Sequence, residues 1–375
     1  MKYSKKIIFL SIVSLFLFVG IFESTRLFSV SRIGFNFPLI LHLVVLFLSF
    51  LSLGALFYFS CIKNENLSEL AKGISSGVYS ILVFFIFLEA FFIFYPKTHS
   101  GGNIALSNIS WSSYYNSSKN EYDFRGRPIG DLKRKKKVYV IGDSFTAGWG
   151  IKNIKNRYSD LLEKELGSDY RVINMGVCGY GTKNELYVLD QFLNVSKMKK
   201  PDLIVWQYYF NDILSAGYPT PDGEIDPYPK EFSTVKYFVE NSFFLNFVYW
   251  LFPKEYNQDS VEYYLDNYFK KEREFKNHLI DLLGVVRLCK EKQIPIVFVM
   301  FPYLNDLNRT CPPTTFISEA LRGAGAEVVN MCDSVSDIDL MDRIVNCNDA
   351  HPSVRIHKLT AGILYRLIKE KNSLN

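Results

Sequence analysis

The chain has 375 residues, 48% of them hydrophobic and 16% aromatic, with a formal net charge of +5. That length suits one or two domains, and a charge this mild argues against a nucleic-acid partner. There is no internal repeat, no Cys-x-x-Cys pair and no His-rich spacing, so neither a metal centre nor a cofactor is expected.

The apolar excess lies in the first 95 residues. Ile7–Phe22 is an uncharged run behind Lys2, Lys5 and Lys6, and Glu23 to Arg26 follow it with no small-residue cleavage site. A retained anchor is therefore expected rather than a cleaved signal. Phe37–Ser60 and Ile74–Tyr95 are each long enough to span a bilayer. Lys2, Lys5, Lys6, Lys63 and Lys72 fall on one side of the three spans, and Arg26, Arg32 and Lys97 on the other. This bias favours an inside N-terminus and puts everything after Tyr95 outside the cytoplasm. Cleavage of the first run would leave two spans and the same outcome.

His42 and Glu89 sit within spans two and three, each about 8–9 Å below the outer boundary at about 1.5 Å per residue. Equal depth predicts that they pair, since a lone ionisable group in lipid is costly; the alternative is that each snorkels or stays neutral.

Residues 96–136 form a polar linker with scattered aromatics, expected to be partly ordered. It ends in the basic run 133–137, expected to be a solvated strand entry, with contact to anionic headgroups as the alternative.

Residues 137–375 alternate between two periodicities. Val138–Ile141 predicts a buried strand. After it come Gly142, where the chain can bend, and Asp143, Ser144 and Thr146, which cap helices and tighten turns. Gly148 and Gly150 are expected to leave room for a ligand. Helices are predicted at Arg157–Leu166, Thr182–Met198, Val261–Lys292, Thr314–Leu321 and Val354–Lys371. Further strands are predicted at Arg171–Val177, Leu203–Tyr209, Pro295–Phe301 and Glu327–Met331. Such alternation means a parallel sheet covered on both faces. Ser215–Gln258 is too long for a plain connection. Its uncharged core, Asn241–Phe252, fits a helix packed on the domain, a lid, or a helix resting on the membrane.

Four stretches then fall at strand ends in one order: Gly142-Asp-Ser144, Asn174-Met-Gly-Val-Cys-Gly-Tyr-Gly181, Tyr209-Phe-Asn-Asp212 and Cys347-Asn-Asp-Ala-His-Pro-Ser353. Together they resemble the four blocks of the SGNH (GDSL-type) hydrolases, over about residues 137–371. The resemblance implies a flavodoxin-like three-layer α/β sandwich with a five-stranded parallel sheet, here behind a bundle of three transmembrane helices. It implies Ser144 as nucleophile and His351 as base. It also implies an oxyanion hole from the N–H groups of Ser144 and Gly176 and the side chain of Asn211.

The residues agree by a separate route. A neutral imidazole suits a serine proton near pH 7. Pro352 pushes His351 toward an extended conformation, where residues two apart point the same way. Asp349 is thereby placed to orient His351, with Asn348 as a neutral runner-up. Asp143 and Asp212 are expected to bond loop N–H groups. The sequence departs from the family at Tyr209, where the third block usually has glycine; a tyrosine there narrows or reshapes the pocket. Cys311, Cys332 and Cys347 lie in strand-end loops, and one bridge among them is expected without a choice of pairing. Cys178 and Cys289 are expected to be small buried residues.

The function expected is an extracytoplasmic serine esterase or deacylase at the inner or plasma membrane, acting on acyl esters of envelope glycans or lipids. Two rivals remain: an O-acyltransferase using the same residues with a membrane partner protein supplying the acyl donor, and a non-catalytic glycan-binding domain.

Overall fold

The computed structural model describes residues 4–30, 36–65, 67–99, 105–130, 132, 135–194, 200–213, 233–252 and 260–370. They form two compact units, one made of residues 1–114 and 226–254, the other of 115–225 and 255–375.

The first unit is built on three helices: α1 Ser4–Val30, α2 Asn36–Phe57 and α3 Glu69–Ile93. Each is long and apolar enough to cross a membrane. The first is longer than its uncharged run because the helix continues through Glu23 and Arg26. Ser24 and Thr25 return their hydroxyls to the Ile21 carbonyl, and Glu23 pairs with Arg26 one turn on at 3.7 Å. Ile21, Phe28, Leu46, Leu53, Ile86 and Ile93 fill the interior of the unit, while Phe9, Phe16, Phe47 and Phe87 are exposed. Apolar side chains can face outward in this way where the solvent is lipid.

His42 and Glu89 are both buried, but they do not hydrogen-bond to each other. Nδ1 of His42 lies 2.7 Å from the Ser24 hydroxyl. Glu89 instead serves the insert, whose described part is α8 Ser233–Glu240 and α9 Phe243–Leu251. Glu89 accepts from the Ser242 hydroxyl and from the N–H groups of Phe243 and Phe244. The expected pair fails because a helix start offers several donors where one imidazole offers one. The sequence assigned the insert to the soluble domain; these two helices pack with the spans. The rest of the 215–258 insert, apart from residues 233–252, lies outside the described residues, as do Lys133 and Arg134 of the basic run. Within the expected linker, α4 Leu106–Tyr115 is ordered.

In the second unit five parallel strands run in the order β2 Tyr170–Asn174, β1 Lys136–Ile141, β3 Leu203–Tyr209, β4 Ile296–Phe301, β5 Glu327–Asn330. This is the doubly wound order expected. Alternation sorts the side chains. Val138, Val140, Val172, Val205 and Val299 face one side with Leu162, Ile356 and Leu364 from α6 Tyr158–Leu166 and α15 Val354–Glu370. Tyr139, Ile141, Ile173, Trp206 and Phe298 face the other, against Leu189, Leu282, Val286 and Ile317. Those four come from α7 Thr182–Asn194, α11 Glu272–Glu291 and α12 Leu307–Gly323.

Three differences from expectation have local causes. The long helix from Val261 is broken: α10 Ser260–Tyr264 runs into a wide turn, Leu265–Phe269, before α11. There Phe269 stacks on Phe210 at 4.4 Å. Next, α12 starts well before Thr314, because Asp306 caps it by accepting from the Arg309 N–H and the helix runs on through Pro312 and Pro313. Finally, the segment with His351 is one arm of a hairpin, β6 Ile344–Asn346 with β7 Asp349–Pro352.

Candidate active site

In an open parallel sheet, ligands bind beyond the carboxyl ends of strands where the strand order reverses. Here that point lies between β1 and β3, which pair in register from Val138–Leu203 to Ile141–Trp206. β1 delivers Ser144, and β3 delivers Asn211 on a 3-10 turn, Phe210–Ile213.

The serine turn is held from three directions. Asp143 caps α5 Ser144–Ala147, its Oδ1 accepting from the Phe145 N–H at 2.9 Å. Gln207 of β3 accepts from the Asp143 N–H and the Thr146 hydroxyl through one oxygen. Arg125, from the linker, donates to the carbonyls of Ala147, Gly148 and Ile151 just past the serine. Arg157 donates to the Arg125 carbonyl at 2.8 Å, so the two arginines brace one loop. Burial, with Arg157 beside it, pulls the Arg125 guanidinium down to about 10. Nothing in the sequence marks Arg125, because a linker arginine has no periodicity or motif. Gly148 and Gly150 do not open space for a ligand. A side chain on the first would strike Arg157 at 2.5 Å, and on the second Val345 at 2.6 Å.

His351 joins Ser144 to Asp349. Its Nε2 lies 2.8 Å from the Ser144 hydroxyl, and its Nδ1 2.5 Å from Asp349 Oδ1. Asp349 also accepts from the His351 N–H at 3.1 Å, which fixes the two-residue spacing. Asn348 takes no part: its N–H donates to Asn346, and its side-chain nitrogen is buried without a partner. Burial pulls the imidazole pKa down, but the Asp349 carboxylate and then Asp143 pull it up, and the net lies above the usual 6.5. The serine hydroxyl, the imidazole and the buried carboxylate thus form one continuous chain of contacts.

Of the groups expected to form an oxyanion hole, one N–H is already engaged. The Gly176 N–H donates to Asn174 Oδ1 at 3.0 Å, so it is engaged inside its own loop. The glycine serves packing instead: a Cβ there would lie 2.3 Å from the Ala147 nitrogen. The Val177 N–H is likewise engaged, by the Gly142 carbonyl at 3.1 Å. The N–H groups of Ser144 and Gly179 have no hydrogen-bond partner among the described residues. Asn211 has a buried Oδ1 without a partner. Asp212 accepts from the Tyr209 N–H at 3.1 Å, a loop contact like that of Asp143.

The GDSL-like lipase/acylhydrolase family matches residues 140–359. The chain belongs to that family. Among solved structures it is similar to a lipolytic G-D-S-L protein from Veillonella parvula DSM 2008, at 12% identity and a TM-score of 0.39, covering 62% of this chain and 96% of that one. A lipase/acylhydrolase from Enterococcus faecalis aligns at 15% identity and a TM-score of 0.40, covering 63% and 96%. The esterase AlinE4, an SGNH hydrolase, aligns at 17% identity and a TM-score of 0.36, covering 64% and 98%. None of the curated proteins compared matches the sequence.

In this GDSL-type domain Tyr209 lies flat on Phe145, ring centroids 4.0 Å apart, with Tyr303 stacked beyond at 5.7 Å. The tyrosine is thus buried in a ring stack beside the residue that follows Ser144. Cys311 bridges to Cys332, tying α12 to α13 Met331–Val335. Cys347 is free and exposed; Cys289 is buried as expected, but Cys178 is exposed.

Proposed function

We propose that the protein is a membrane-anchored serine esterase or deacylase whose domain lies outside the cytoplasm and removes acyl groups from envelope glycans or lipids. The observation that carries this is the continuous relay from Ser144 through His351 to Asp349. In the reaction, Ser144 Oγ attacks the ester carbonyl while its proton passes to His351 Nε2. The imidazolium is stabilised through its Nδ1–H by Asp349. The oxyanion is met by the Ser144 N–H and the Asn211 amide, each such donor contributing about 3–4 kcal/mol. His351 then protonates the leaving alcohol, and water, deprotonated by the same imidazole, releases the acid. The bilayer is the anchoring partner, and the lysine bias toward the N-terminus supports the orientation.

Treatment of the purified full-length protein with a serine-reactive fluorophosphonate tests this. Label is expected on the wild type and not on Ser144→Ala. Equal label on both removes the nucleophile assignment. Acyl transfer to added glycan in place of free acid would favour the transferase, with a membrane partner protein as donor.

A further inference from the structure

The start of α9 is satisfied entirely by groups suited to a setting without water. The first two N–H groups of the helix, those of Phe243 and Phe244, donate to Glu89 of α3, and the third, of Leu245, donates to Ser242 Oγ at 3.1 Å. Asn246 donates to the Val239 carbonyl and accepts from the Leu106 N–H. A helix start in water needs no such provision, because solvent serves those donors. In hydrocarbon every one must be served by protein.

The depth agrees. Glu89 lies four residues before the end of α3, about 6 Å in along the helix. Tyr237 of α8 donates to Glu23 of α1 at 2.7 Å, and Phe238 packs edge-on to Phe22. Those contacts lie at the outer end of the uncharged run Ile7–Phe22, beside the half-exposed Glu23–Arg26 pair, which suits the headgroup level. The outer surface of the helix pair carries Val235, Tyr237, Phe238, Leu251 and Phe252, all exposed. α9 packs through Phe247 on Phe92 and Tyr95 at the end of α3, where Phe91, Phe94 and Tyr95 are also exposed.

We propose that α8 and α9 form an interfacial membrane element, their outer face seated at the boundary between headgroups and acyl chains, with Glu89 as the docking group. Helices with an aromatic face and a charged one occupy that boundary, and α8 sets Tyr237 and Phe238 beside the part-exposed Lys236–Glu240 pair. The proposal is independent of the chemistry assigned to Ser144.

The test uses the full-length protein in phosphatidylcholine–phosphatidylglycerol nanodiscs, with Cys178 and Cys347 replaced by serine. Spin labels are placed singly at Val235→Cys and Phe252→Cys, with Phe91→Cys as a span reference and Tyr187→Cys as an aqueous one. Collisional accessibility to oxygen and to a polar nickel complex is measured at each. Both insert labels are expected to give oxygen-to-nickel ratios several-fold above Tyr187→Cys and near Phe91→Cys. Ratios at the Tyr187→Cys level would place the surface in water and overturn the proposal. Low accessibility to both reagents would mean that a second copy covers it, which also overturns it. Adding Glu89→Gln, which keeps an acceptor, should leave the Val235→Cys label immobilised, and Glu89→Ala should loosen it. A label unmoved by Glu89→Ala would remove Glu89 as the docking group.

Discussion

Two carboxylic acids near the serine sit in opposite electrostatic situations. Asp349 faces an imidazole and serves as a charge. The proposed mechanism requires neutral His351, and the Asp349 charge raises its pKa above 6.5, so the rate should fall as pH drops through that raised value. Asp349→Asn should move this acid limb to lower pH and cut kcat by a factor on the order of 10³–10⁴, while Asn348→Ala leaves the limb in place. A pH profile of ester hydrolysis for the three proteins checks this; an unmoved limb in Asp349→Asn would dismiss the aspartate.

Glu185, on the first turn of α7, is buried with neither oxygen partnered. Burial, and then Asp143, hold its pKa well above 4.5. A folded-state pKa above the unfolded one makes a carboxyl stabilising at low pH. That stability is lost as pH rises from about 4.5 toward the folded value. Glu185→Gln cannot titrate, so the stability difference between it and the wild type should change across that window, in favour of the variant at higher pH. Urea unfolding at pH 4.5 and pH 8 measures it; a pH-independent difference would contradict a protonated Glu185.

Among the elements, the Cys311–Cys332 bridge closes a loop with a sequence separation of 21 and holds the helix after β4 to the one after β5. Loop-closure entropy gives such a bridge about 3 kcal/mol. Reduction, or the Cys311→Ser Cys332→Ser pair, should lower the thermal midpoint of the soluble domain by several degrees. Free, exposed Cys347 should react with a thiol reagent before any reduction, and Cys178, whose thiol burial pushes up to about 12, should react far more slowly. A midpoint unaffected by reductant would count against the bridge. The serine turn illustrates a different kind of support. Its helix is only four residues long, too short to hold itself, so Asp143, Gln207 and the Arg125–Arg157 brace hold it instead. The α8–α9 pair likewise draws on packing against the spans, including the Phe92–Phe247 stack at 4.3 Å, beside the Glu89 hydrogen bonds.

For the whole molecule, one chain combines a three-helix membrane unit with a GDSL-type hydrolase domain, and it returns to the first unit after β3. Orientation is testable through an exposed thiol. In right-side-out membrane vesicles a membrane-impermeant maleimide is expected to modify Cys347 from the outside. Modification only after permeabilisation would reverse the topology.

The spans, the parallel sheet and the four strand-end blocks were legible in the residues because each rests on a local pattern. Apolar runs of about twenty residues leave water, short uninterrupted β-branched and aromatic runs pack between layers, and an aspartate two before a histidine in an extended segment shares its face. Tertiary structure decided what depends on partners distant in the chain. It chose Cys332 over Cys347 for Cys311, turned Glu89 from His42 to the start of α9, engaged the Gly176 N–H with Asn174, and set Arg125 beneath the nucleophile loop. A buried polar group takes whichever partner folding brings to it, and no spacing along the chain encodes that choice.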